Sequence, residues 1–186
     1  MAPSPTPWMM CTVYQDAACS IPWAPRTERW YRLDACAAVN DGGSFWKSSN
    51  STHLETKIFS DTNCTTLVEP SIWTELGRCL GGAGGWTMQV PAVKPDLLPN
   101  TIVHHFTNAA DCSSEPMIVE TYAVDQCYMP NHMGIFQAVM CDLPKKKITA
   151  LSHCRESSCN PSFSANYTTG CTLPHEEFIC NVTPHV

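Results

Sequence analysis

Tyr14-Gln15-Asp16-Ala17-Ala18-Cys19-Ser20 and Phe106-Thr107-Asn108-Ala109-Ala110-Asp111-Cys112-Ser113 read as one motif met twice, with a residue inserted in the second copy. Outward from this pair the correspondence holds its order. Tyr31-Arg-Leu-Asp-Ala-Cys36 lies on Tyr122-Ala-Val-Asp-Gln-Cys127, and Gly43-Ser-Phe45 on Gly134-Ile-Phe136. Gly77-Arg-Cys79 then lies on Gly170-Cys171, and Trp86 to Val90 on Phe178 to Val182. Self-similarity at fixed offsets is the mark of a repeated structural unit. A shorter echo, aromatic-x-acid-x-x-Cys, recurs at Phe59-Ser-Asp61-Thr-Asn-Cys64, and Cys154-Arg-Glu156-Ser-Ser-Cys159 fits the same frame. Four half-units follow, at 14–36, 59–79, 106–127 and 154–171.

Texture within the copies is that of strands. Thr101 to Phe106, Met117 to Val124 and Gly134 to Met140 are short and rich in β-branched and aromatic residues, and Gly, Pro and Asn punctuate them. Only Pro70 to Leu76 reads as a short helical turn. The expected fold is all-β, with two tandem homologous, small, disulfide-rich, sandwich- or barrel-like domains joined by a Pro-rich linker. The boundaries are a Pro-rich arm at 1–8, copy one at 9–90, the linker at 91–100 and copy two at 101–186.

Twelve cysteines in 186 residues point to an oxidising, extracellular setting, and the cysteine spacings lack the paired pattern of zinc sites. Closing each half-unit on itself predicts Cys19–Cys36, Cys64–Cys79, Cys112–Cys127 and Cys159–Cys171. Cys141–Cys154 is then a bond private to copy two. Cys11 and Cys180 remain. If the first and last strands of each copy pair so that Cys11 faces Met88 and Val103 faces Cys180, both thiols are single. They meet either within one chain or between successive molecules of a head-to-tail polymer.

Asn50, Asn63, Asn166 and Asn181 stand in glycosylation sequons, with Asn63 disfavoured by Cys64 beside it. Ala2-Pro-Ser4-Pro-Thr6-Pro7 favours extended polyproline geometry, and Ser4 and Thr6 are candidate O-glycan sites. Over six residues this arm is similar to the Ala-Pro, Ser-Pro and Thr-Pro runs that carry hydroxyproline glycans in plant and green-algal wall glycoproteins.

A formal charge of −6 without a basic stripe argues against nucleic acid as a partner, and no apolar run has the length of a membrane span. The N-terminus lacks a signal-peptide pattern, so an exported chain is expected to be a mature fragment. No catalytic motif is present, and no cofactor or metal is expected. His104-His105 alternates faces on a strand, and Glu176-Glu177 is a carboxylate pair in sequence alone. Asp16, Asp34, Asp61 and Asp125 recur in the repeat frame as turn or cap residues. Trp46 and Trp86 read as core; Trp23 and Trp30 read either as further core residues or as a loop platform for sugar or a subunit. The expected function is an extracellular structural glycoprotein rather than an enzyme, the repeat unit of a filament, cell wall or matrix that self-associates head to tail. The alternative is a secreted monomeric binding protein: a lectin, adhesin or protease inhibitor.

Overall fold

The computed structural model describes residues 8–22, 28–39, 42–82, 85–93, 99–124, 127–128, 136–154 and 163–181. These residues form strands and turns and contain no helix. The first half carries β1 (Trp8–Tyr14), β2 (Arg29–Arg32), β3 (Cys36–Ala38), β4 (Ser44–Ser49), β5 (His53–Phe59), β6 (Ile72–Glu75), β7 (Leu80–Gly82) and β8 (Gly85–Ala92). The second half carries β9 (Thr101–Thr107), β10 (Pro116–Ala123), β11 (Cys127–Tyr128), β12 (Phe136–Asp142), β13 (Lys147–Cys154), β14 (Phe163–Thr168), β15 (Gly170–Leu173) and β16 (Glu176–Asn181). The expected strands near 101, 117 and 134 are all present. Pro70 to Leu76, read as a helical turn, instead supplies β6. Its β-branched Ile72 and Thr74 flank Trp73, and residues of these types favour a pleated surface.

One eight-stranded sheet, in the order β15-β16-β9-β10-β2-β1-β8-β7, runs through both halves. Two smaller sheets, β3-β4-β5-β6 and β11-β12-β13-β14, complete the architecture. The halves therefore share a strand order, and β2 and β10, which hold the same place in it, pair antiparallel at the centre. None of the sheets closes on itself, so the barrel option is set aside. Pro91, read as the start of a linker, sits in β8 opposite Met9. That position lies beyond the reach of β7, at the edge of the sheet where proline is tolerated.

Alternation along the strands sorts the large sheet into two faces. On one, Met9 packs with Leu33, Leu54 and Tyr31 beneath β3–β6. On the same face Ile102, Val124, Phe178 and Tyr122 pack with Ile148 and Tyr167 of the other small sheet. The opposite face buries Trp8, Trp30, Val103 and Val119. Gly81 in β7 is there for contact: a Cβ would come within 2.8 Å of the Trp86 ring that lies over it.

Two of the four recurring acids, Asp16 and Asp61, do the capping work expected of them, and Asp125 lies outside the described residues. Asp16 accepts from the Ser20 and Ile21 amides, and Asp61 from the Asn63, Thr65 and Thr66 amides. Each such turn places its cysteine in the left-handed region: φ is 50° at Cys19, 57° at Cys64 and 58° at Cys112. The acid caps offset a conformation that costs L-residues roughly 1–3 kcal/mol. In the second half Asn108, at the position of Asp16, leaves its own turn. It accepts from the Ala38 amide at 3.1 Å and donates to the Cys36 carbonyl at 2.7 Å, clamping β3 across the seam.

The disulfides do not close the half-units. Cys19 bonds Cys79, Cys36 bonds Cys64, and Cys112 bonds Cys171. The expected Cys19–Cys36, Cys64–Cys79, Cys112–Cys127 and Cys159–Cys171 are thereby corrected. The turn after the first strand of each half meets the chain at the start of its last hairpin, because β1 lies beside β8 and β9 beside β16. Cys141 bonds Cys180, which overturns both Cys141–Cys154 and any Cys11–Cys180 link. The cause is a one-residue difference in register. The first and last strands do pair, but Cys11 faces Gln89 and Cys180 faces Ile102. A one-residue slip flips a side chain to the other face. Cys180 thus joins Ile102 on the inner face, where β12 offers Cys141. Among the described residues Cys11 is a free thiol. Cys159 lies outside the described residues, as do the side chains of Cys127 and Cys154.

Candidate carbohydrate-binding face

Around Trp46 and Trp73 the sheet β3–β6 presents its outer face to solvent, and the register names the side chains there. Trp46 stands opposite Lys57, Ser48 opposite Glu55, Glu55 opposite Trp73, and His53 opposite Glu75. The intervening residues point inward: Phe45 meets the Tyr31 ring edge-on at 5.8 Å, and Leu54 is fully buried. Trp46 is 37% exposed and Trp73 57%.

Between the two indoles lies an ordered polar strip. Ser48 Oγ donates to Glu55 at 3.2 Å, and the Lys57 ammonium is 3.5 Å from the same carboxylate. A hydrogen bond from Ser71, together with Lys57 and Ser48, holds the Glu55 carboxyl below its usual range, so it is ionised at neutral pH. The His53 ring approaches Trp73 edge-on, its centroid 6.5 Å away. The His53 amide donates to Asn50 Oδ1 at 2.7 Å, and Nδ1 lies 2.9 Å from the Thr52 hydroxyl. The Asn50 turn thus braces His53 beside the indole. At the strip's end Arg78 pairs with Glu75 at 2.9 Å.

Two other polar regions lie at the seam. A cleft of about 660 Å³ opens between the halves, lined by Val39, Thr62, Asn63, Asn108, His175 and Glu176 among others. Beneath the small sheets, one row of the large sheet reads Gln89, Cys11, Arg29, Glu120, His104, Phe178 in register. Glu120 binds the Arg29 guanidinium and the Tyr122 hydroxyl, and lies 3.7 Å from His104 Nδ1. His104 Nε2 is 3.0 Å from Glu176, and His105, on the other face, is 3.1 Å from Glu177. The adjacent Glu176-Glu177 pair thereby serves one histidine on each face. Burial raises the Cys11 thiol pKa, against the pull of Lys47 and Arg29, so it stays protonated at neutral pH. Burial also pulls the Lys47 ammonium below its usual value. The row braces the seam and presents no activated nucleophile.

Burial lowers the His104 pKa to about 4, against the opposing pull of Glu176. The unfolded chain therefore takes up this proton first as pH falls. Stability supplied by neutral His104 is intact above about pH 7 and is lost between about 6.5 and 4, a difference of about 3 kcal/mol. Urea titrations at pH 7 and pH 4 are expected to show a drop larger in the native protein than in His104→Gln by roughly that amount. Equal drops in the two proteins would refute the assignment.

Of the sequence-derived site residues, Trp30 is 5% exposed and belongs to the core behind the large sheet, so it offers no binding surface. Trp23, Ser4 and Thr6 lie outside the described residues. Trp46, read as core, faces solvent. Asn50, Asn63 and Asn166 are exposed, whereas Asn181 is half-buried in β16. Trp73 was concealed by the helical reading of its segment. In a strand, alternation with Ile72 and Thr74 is the signal that places it on the opposite face. No family model, curated protein or solved structure matches this chain. Among the described residues no cluster of metal-ligating side chains occurs.

Proposed function

We propose that this chain is an exported, non-enzymatic carbohydrate-binding protein, built by tandem duplication of one β unit and stapled by disulfides. It holds glycan on the outer face of β4, β5 and β6. The observation that carries the reading is the exposure of Trp46 and Trp73 on one face, with a hydrogen-bonded polar strip between them. The second half repeats the strand order without a single tryptophan, so the fold does not require them. A pyranose ring offers an apolar C–H face of positive partial charge, the complement of an indole's negative π face. The disulfides support export, and the wall or matrix setting stays within the proposal, with polysaccharide as the partner. Covalent polymerisation through Cys180 is not carried forward, because Cys141 holds that sulfur.

Affinity electrophoresis through gels containing soluble polysaccharides tests the proposal. Covering about 100 Å² of indole is worth roughly 2–3 kcal/mol. Trp46→Ala with Trp73→Ala is therefore expected to remove retardation altogether. The melting temperature should change little, since neither ring is fully buried. Retardation unchanged in the double variant would sink the carbohydrate reading.

A further inference from the structure

Resting on the carbohydrate reading, we infer that the face takes a neutral, extended polysaccharide. It lies obliquely across β4 to β6, with one sugar ring on Trp46 and another on Trp73. The first argument is spacing. Trp46 and Trp73 are two strands apart and offset by two residues along the strands. With neighbouring strands about 4.8 Å apart and a rise of about 3.4 Å per residue, the two Cα positions are roughly 12 Å apart. One pyranose cannot touch both rings, so a ligand using both is an oligomer in an extended conformation.

The second argument is shape. A β-sheet face has no end wall, so a chain runs across it and internal segments are as acceptable as termini. The His53 ring against Trp73 and the bonded Asn50 turn behind it hold that platform in place.

The third argument is charge. The cations on this face are already neutralised: Lys57 by Glu55 and Arg78 by Glu75. Glu55 stays ionised between the platforms, and the whole chain carries −6. A uronate or sulfated polymer would bring anions over Glu55 without finding an unpaired cation. Neutral hydroxyls instead meet the Glu55 and Lys57 groups and Ser48 as acceptors and donors. The strip therefore discriminates by repulsion as well as by fit.

Calorimetry with oligomer ladders of one to six sugars tests this. The neutral probes are β-1,4-linked glucose, N-acetylglucosamine and mannose; the anionic probe is oligogalacturonate. The protein is produced in an oxidising host without N-glycosylation, so that a glycan on that hairpin cannot mask the face while the Asn50 turn stays intact. Affinity for at least one neutral ladder is expected to rise tenfold or more once the oligomer spans both platforms. Either single variant, Trp46→Ala or Trp73→Ala, should abolish that step while leaving short-oligomer binding within threefold at the remaining ring. Oligogalacturonate should bind at least tenfold more weakly and recover part of that loss in Glu55→Gln. Flat length dependence, or equal binding of the uronate ladder, overturns this inference while tryptophan-dependent sugar binding leaves the carbohydrate reading standing. Absence of binding to every ladder overturns both.

Discussion

A variant with Cys19, Cys79, Cys112 and Cys171 all replaced by alanine is expected to be unfolded at room temperature. The two bonds span 60 and 59 residues, and each joins the turn after the first strand of a half to its last hairpin. Loops of that length are worth about 4 kcal/mol each in the chain-entropy model. Together they amount to about 8 kcal/mol, which equals or exceeds the net stability of many domains. Removing Cys36–Cys64, which spans 28 residues, should cost less, about 3.5 kcal/mol. Circular dichroism and denaturant titration of the two variants check the ranking. Peptide mapping of the unreduced protein checks the pairing itself. A well-folded quadruple variant, or a recovered Cys19–Cys36 peptide, would contradict the structure.

The second large effect is at the seam. Glu120→Ala is expected to lower stability by about 3 kcal/mol, the low end of the range for breaking a buried ion pair. Glu120 is 8% exposed and receives the Arg29 guanidinium and the Tyr122 hydroxyl, with His104 also near. Arg29 is half exposed and can turn to water, which keeps the loss at that low end. In a chain of this size the loss corresponds to a fall in melting temperature of about 6–12 °C. Glu120→Gln, which keeps the volume and an acceptor, should recover part of it. Because Glu120 lies where β2 and β10 join the halves, hydrogen exchange in those strands should rise before exchange in β1 and β8. A melting temperature within 2 °C of the native protein would show that the row contributes no stability.

The legible part of the candidate face was its residue types. Tryptophans gathered in the first half, acids at fixed places in the repeat and sequon asparagines are all visible in one dimension. Which tryptophan faces water is not. Trp30 and Trp46 both sit in short aromatic strands, but Trp30 points behind the large sheet onto Val119, and Trp46 points away from it. That difference is set by which sheet each strand joins.

By itself the sequence determined what depends on near neighbours. The all-β class follows from short β-branched segments cut by turn residues. The capped turns follow from Asp16 and Asp61, each a few residues from the amides it binds. The expectation of two copies follows from the order of the motif. Tertiary structure alone decided the register of β1 on β8 and of β9 on β16, and through it the fate of Cys11 and Cys180. It also decided the four cysteine pairings among the described residues and the union of both halves in one eight-stranded sheet. These rest on contacts between residues tens of positions apart. A slip of one residue there leaves every local preference satisfied and yet sends each side chain to the opposite face.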